Sequence, residues 1–153
     1  MIQKYLVIFF LFFLGCKPIE PVNFVEIQNV KIKSSTGNKL NISAEIVLDN
    51  PNKVKIIIEN IDVDIYAENI ILVNINEEES RELIESSETT IQITGDVNLK
   101  NLEEFLNKKG LAIILGGDDV SLKFVGSIKA KAYGIKDQID INYTINSVKG
   151  LIN

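Results

Sequence analysis

The stretch that most constrains this chain runs from Leu40 to Val73, LNISAEIVLDNPNKVKIIIENIDVDIYAENIILV. Leu40, Ile42, Ala44, Ile46 and Leu48 alternate with Asn41, Ser43, Glu45 and Asp49, and only Val47 breaks the phase. Successive side chains of a strand point to opposite faces, so this period of two makes one dry face and one wet face. Asn50-Pro51-Asn52 then stops the strand. An asparagine side chain bonds its own backbone two residues on, and proline pre-sets the φ of a turn while removing a ladder donor. The corner is polar and compact, but its chemistry is that of a chain reversal, so Asn50, Pro51 and Asn52 are read as structural. Ile56 to Ala67 resumes the alternation, with Ile61, Val63, Ile65 and Ala67 facing in. Glu68-Asn69 suits a two-residue hairpin into Ile70 to Asn76, because asparagine tolerates the left-handed region.

Further strands surround this unit. Asn23 to Lys33 has Val25 and Ile27 in one phase and Val30 and Ile32 in the other, and a bulge near Gln28 and Asn29 would bring both pairs to one face. Ser34 to Lys39 is turn chemistry around Gly37. Glu77 to Ser87 reads as a solvated connection at one end. A cation site on Glu77, Glu78 and Glu79 would lack the spaced Asp, Asn and Gly of a calcium loop. Thr89 to Leu99 alternates with Ile91, Ile93, Val97 and Leu99 inward, and Gly95 marks a bulge or a close approach. Leu102, Phe105 and Leu106 then follow helical spacing, with Asn101 as the cap, Glu103 and Glu104 behind it, and Lys108-Lys109-Gly110 as the end. Leu111 to Leu115 is apolar and ambiguous, and Gly116 to Asp119 is a turn. Val120 to Ala132 and Ile135 to Ile145 complete the set around a Tyr133-Gly134 turn. About seven strands, with one short helix between the fifth and sixth, argue an all-β, antiparallel two-sheet sandwich.

Composition narrows the chemistry. Hydrophobic residues make up 46% of 153 residues, enough for one core, and Ile, Val and Leu dominate them. Net charge is -5 and Arg81 is the only arginine, which argues against a nucleic-acid surface. With no histidine and one cysteine, an internal disulfide, zinc held by His or Cys, and Ser-His or Cys-His catalysis are all excluded. Carboxylate pairs such as Asp62 with Asp64, or Asp118 with Asp119, remain, and exposed acidic pairs are ordinarily solvated surface. No catalytic residue, metal site or cofactor is assigned.

The first sixteen residues set the address. Lys4 precedes Tyr5 to Leu14, an apolar run of about ten residues, roughly half of what a bilayer-spanning helix needs. A basic start and a short apolar core fit a secretory signal peptide. The run ends in Phe13-Leu14-Gly15-Cys16, which resembles the bacterial lipobox. The resemblance implies cleavage between Gly15 and Cys16 and a diacylglyceryl thioether on Cys16. Two acyl chains, at about 0.8 kcal/mol per buried methylene, suffice for stable anchoring. Removing residues 1–15 takes Lys4 and no acid, leaving 15 basic against 21 acidic residues. Lys17 to Val22, with Pro18 and Pro21, reads as an extended tether. Lys17 is not the Asp that retains enterobacterial lipoproteins in the inner membrane, which points to the outer membrane. The expected layout is a signal peptide over 1–15, lipidated Cys16 and tether over 16–22, a sandwich over 23–147 and a tail over 148–153.

The segment Ile46 to Leu72, with Asn50-Pro51-Asn52 followed by Asn60-Ile61-Asp62-Val63-Asp64-Ile65-Tyr66 and a hairpin, resembles the late embryogenesis abundant type 2 family. That family is also called the WHy (water stress and hypersensitive response) domain. Phe124-Val125-Gly126-Ser127-Ile128 is similar to the family's strand after the helix. The chain departs from the family's usual Pro and Phe after the corner, with Lys53-Val54-Lys55, and from its usual Asn-Gly hairpin, with Glu68-Asn69. The resemblance implies an immunoglobulin-like or fibronectin-like sandwich with one helix and no catalytic residues. It further implies a role in stress and desiccation tolerance and, in some members, an association with membranes or lipid. The expectation is a non-catalytic envelope protein, anchored to the membrane through Cys16, that protects under stress or docks an envelope partner. The alternative expectation is a module that binds lipid or another hydrophobic ligand between its sheets, with Leu111 to Leu115 lining the opening.

Overall fold

The computed structural model describes residues 18–35, 39–114 and 120–146, with side chains at 34–35 and 111–114 left aside. Gly15 and Cys16, the Gly37 turn, the Gly116–Asp119 turn and the tail therefore lie outside the described residues. Among the described residues, eight strands and one helix follow in the order β1 (Asn23–Ser35), β2 (Lys39–Asn50), β3 (Ile56–Ala67), β4 (Ile70–Glu77), β5 (Arg81–Leu83), β6 (Ser87–Asp96), α1 (Leu99–Ile114), β7 (Leu122–Ala132) and β8 (Ile135–Ile145).

The strands form two antiparallel sheets. One has the order β1-β2-β6, and the other β4-β3-β7-β8, with β5 also paired to β3. The edges correspond across the sandwich, β4 lying by β6 and β1 by β8. The alternation of β2 and β3 is realised: Ile42, Ala44, Ile46, Leu48, Ile61, Val63, Ile65 and Ala67 are all buried between the sheets. Phe124 and Ile128 of β7 and Ile139 and Ile141 of β8 close the same core. Gly95 sits in unbroken register with Ile42, so it marks a close approach and not a bulge. A Cβ there would lie 2.4 Å from Val73 Cγ1 and 2.8 Å from Ile75 Cγ1.

Four local expectations are corrected. In β1 the register slips twice, between Phe24 and Glu26 as well as between Gln28 and Lys31. The second slip, at Asn29 with φ 51, works as expected and buries both Ile27 and Val30. The first turns Phe24 inward, edge-on to Tyr143 at 5.7 Å, and sends Val25 out to 43% exposure.

Glu77 to Ser87 is not all solvated connection. β4 covers only the C-terminal half of β3, so the backbone of Ile56 to Ile58 would present a bare edge. Arg81 to Leu83 pairs with it and buries Leu83 completely.

The helix begins earlier and ends later than the spacing predicts. Asn98, not Asn101, is the cap: its Oδ1 accepts from the backbone N–H of Lys100 at 3.1 Å and of Asn101 at 3.2 Å. Asn101 instead donates its side-chain amide to Ile71 O at 2.8 Å. Leu99 therefore opens α1, half exposed, instead of closing a strand. Gly110 is passed over because an interior glycine costs only about 1 kcal/mol, and its φ is not positive, so it makes no left-handed stop.

In the β3–β4 hairpin the positive φ falls on Glu68, at 56°, and not on Asn69.

Candidate functional site

One end of the sandwich gathers the features that sequence chemistry singled out. The chain enters there through Pro18–Val22, the corner after β2 lies there, and so do the β5–β6 and β7–β8 turns. α1 and the β3–β4 hairpin lie at the opposite end.

The corner is a buried polar joint. Asn50 is fully buried and Asn52 is 8% exposed, and they are the only buried polar residues among those described. Asn50 Oδ1 accepts from the Asn52 backbone N–H at 3.0 Å, the bond to the second residue on that asparagine chemistry predicts. It also accepts from Asn52 Nδ2 at 3.1 Å. Asn50 Nδ2 donates to Val54 O at 2.8 Å and to Ile84 O at 3.1 Å. Asn52 then grips the incoming chain on both sides: its Nδ2 donates to Glu20 O and its Oδ1 accepts from the Glu20 N–H, each at 2.8 Å. Ser86 N donates to Asn52 O at 2.9 Å. Two side chains thus fasten the tether, the corner and the β5–β6 turn together. An amide suits this position because it carries donors and acceptors at once.

Beside the joint runs a groove of about 390 Å³, lined mainly by apolar surface from Pro18–Val22, Ile56, Ala130, Ala132 and Ile135. Its rim carries Lys131, Lys136 and Asp137. The β3 register breaks at Glu59, and this carboxylate bonds Lys131 and lies 3.5 Å from Lys136. The Lys131 hydrogen bond holds the Glu59 carboxyl below its ordinary range, against the smaller opposing effect of partial desolvation. Lys55 Nζ meets Glu82 Oε2 at 2.9 Å, and that hydrogen bond raises the lysine's pKa.

The remaining acidic candidates are placed separately. Arg81 Nη2 donates to Glu77 at 2.5 Å and to Glu79 at 3.3 Å, while its Nη1 donates to Gln92 O at 2.7 Å. The only arginine therefore ties the acidic turn to β6. Asp64 accepts from Asn74 Nδ2 at 2.7 Å, and Asp62 is exposed. Asp118 and Asp119 lie outside the described residues. Among the described residues no group of three His, Cys, Asp or Glu is placed to hold a metal ion, and no helix is long and apolar enough to cross a membrane.

Sequence reasoning missed three residues at this end. Tyr133, Ile135 and Ile84 are 82%, 61% and 57% exposed. Tyr133 had one usable signal, since an aromatic at a turn position normally filled by Gly, Asn or Asp is unusual.

These sheets, their order and the corner define an antiparallel β-sandwich with a crossover helix. No protein-family model matches the chain, and none of the curated proteins does. Two solved structures are similar in fold. A crystal structure of a protein from Archaeoglobus fulgidus aligns with a TM-score of 0.58 at 12% identity, over 82% of this chain and 98% of that one. The solution structure of AT1g01470 from Arabidopsis thaliana aligns with a TM-score of 0.65 at 12% identity, over 86% of this chain and 84% of that one. At such identity the likeness is one of fold.

Proposed function

We propose that this chain is a non-catalytic, lipid-anchored envelope protein whose sandwich is a stress-protective or protein-interaction module of the late embryogenesis abundant type 2 kind. The observation that carries the reading is the position of the only cysteine. Cys16 closes an apolar run directly after the small Gly15. Anchorage is supported by the way Asn52 clasps Glu20, which transmits the tether's position to the whole sandwich. The family assignment is supported by Asn50-Pro51-Asn52 and by Phe124-Val125-Gly126-Ser127-Ile128. The acidic exterior, held at a membrane of the envelope, shields or docks a partner by surface contact. In cells fed an alkyne-bearing fatty acid, the protein takes up label and fractionates with membranes. Cys16→Ser loses both properties. Labelling of Cys16→Ser at the level of the parent, or an unlabelled parent, overturns the anchor.

A second reading, a binding module for lipid or another hydrophobic ligand, is favoured by the apolar groove beside the tether. Its 390 Å³ fall within the roughly 300–1,000 Å³ of small-molecule sites. That groove lies at the opposite end from α1, which carries residues 111–114; their side chains, and Leu115 altogether, lie outside the described residues. Native mass spectrometry of Cys16→Ser protein tests it: a co-purifying lipid supports the reading, and bare protein alone excludes it.

A further inference from the structure

The three most exposed large apolar side chains among the described residues all belong to the end where the chain arrives from Cys16. Tyr133 stands in the β7–β8 turn, Ile135 opens β8, and Ile84 follows β5. They come from two separate turns on either side of β3, so no single loop accounts for them. Tyr133 holds φ 49, a conformation unusual for an aromatic residue, and with 82% of its surface exposed it buries little within the chain. Such a side chain, apolar in body and polar at its tip, is typical of a membrane–water boundary.

Covalent geometry adds an independent constraint. Only Lys17 separates Cys16 from Pro18, so their Cα atoms are no more than about 7 Å apart however Lys17 is turned. A lipid on Cys16 would therefore hold Pro18, at the edge of the groove, close to the bilayer surface.

We propose that this end of the sandwich rests on the bilayer, with Tyr133, Ile135 and Ile84 seated at the headgroup boundary and the groove closed by lipid. The proposal rests on the lipid-anchor reading of Cys16. A bilayer fits better than a ligand within the groove, because Tyr133 and Ile84 lie outside the groove's lining and a ligand there would leave them in water. The contact is apolar in character. Lys131 is bonded by Glu59, Lys136 lies 3.5 Å from the same carboxylate and Lys55 is held by Glu82, while exposed Lys53 is outnumbered by exposed Glu20, Glu85 and Asp137, so no basic patch draws this end to anionic headgroups and added salt is not expected to weaken the contact. The opposite end, with α1 and the β3–β4 hairpin, then faces away from the membrane.

The chain has no tryptophan, so a single one reports without background. Full-length lipidated protein carrying Tyr133→Trp, Ile135→Trp or, at the far end, Leu106→Trp is reconstituted into phosphatidylethanolamine–phosphatidylglycerol vesicles. The same samples are analysed for the lipid on Cys16 and for co-sedimentation with the vesicles. The expected result is blue-shifted emission at positions 133 and 135 and quenching by shallow brominated lipids several-fold stronger than at position 106, not weakened in high salt. Ile135→Trp keeps the test valid if Tyr133→Trp fails to fold. Anchored protein in which positions 133 and 106 are quenched equally overturns the orientation and leaves the anchor standing. Quenching at position 135 by a brominated fatty acid but not by bilayer lipids overturns it in favour of a free ligand. Protein that carries no lipid overturns both.

Discussion

Gly126→Ala is expected to destabilise the sandwich by roughly 3 kcal/mol or more, the upper part of what overpacking costs. Gly126 lies in the middle of β7, opposite Val63 of β3. A Cβ at this position would sit 2.0 Å from the Asp62 carbonyl oxygen and 2.7 Å from Val63 Cα. These are backbone atoms of the central strand, hydrogen-bonded on both edges, and they cannot rotate aside. Relief requires β3 and β7 to part locally and lose ladder bonds over the buried Val63. Gly95→Ala is the internal comparison, because its Cβ would meet only the side-chain carbons of Val73 and Ile75. Those two can shift, although both are β-branched and stiff, and the expected loss is about 1–2 kcal/mol. Urea denaturation of the two variants measures the difference, and a Gly126→Ala loss no larger than that of Gly95→Ala would show the close approach to be soft.

Asn50→Ala is expected to cost about 3–5 kcal/mol, because a buried group that loses its partner incurs a desolvation penalty of about 1–3 kcal/mol. Removing this amide strips partners from Val54 O, Ile84 O, the Asn52 N–H and Asn52 Nδ2 in one step. Asn50→Asp is nearly isosteric and isolates the donors: its carboxylate still accepts from Asn52 but faces the carbonyls of Val54 and Ile84. It is expected to be no more stable than the alanine variant. Asn52→Ala is milder, about 1–3 kcal/mol, since the Asn52 side chain chiefly clasps the backbone of exposed Glu20, which water can reach once the amide is gone. Its distinguishing effect is faster hydrogen exchange at Glu20, with the sandwich otherwise protected. A loss below about 1 kcal/mol for Asn50→Ala contradicts the view of the corner as the joint of this end.

Most of the sandwich was legible in residue order because its strands obey a local rule. Period two from Leu40 to Leu48, from Ile61 to Ala67 and along β7 places the core side chains without reference to anything distant. The Asn50 bond to the Asn52 N–H was legible for the same reason, being a matter of neighbouring atoms. Its bond to Ile84 O and the clasp between Asn52 and Glu20 join residues more than thirty positions apart, and no local pattern announces them. β5 was hidden because its cause lies in β3, whose N-terminal half lacks a partner on that edge. The helix start was decided by tertiary contact: Asn98 and Asn101 are both competent caps, and Ile71 O engages the second. Of the exposed trio at the tether end, Ile135 was hidden by strand phase. Ile135 shares its parity with the buried Ile139 and Ile141 yet lies beyond the covered part of the sheet.

The proposed orientation and the proposed function both rest on a lipid attachment at Cys16. The most direct measurement is mass spectrometry of the N-terminal peptide from protein extracted from its native membrane with detergent. The expected peptide begins at Cys16 and carries a diacylglyceryl thioether on its sulfur, with or without an acyl group on its amine. A peptide that still contains residues 1–15, or one that begins elsewhere with an unmodified Cys16, would contradict the account.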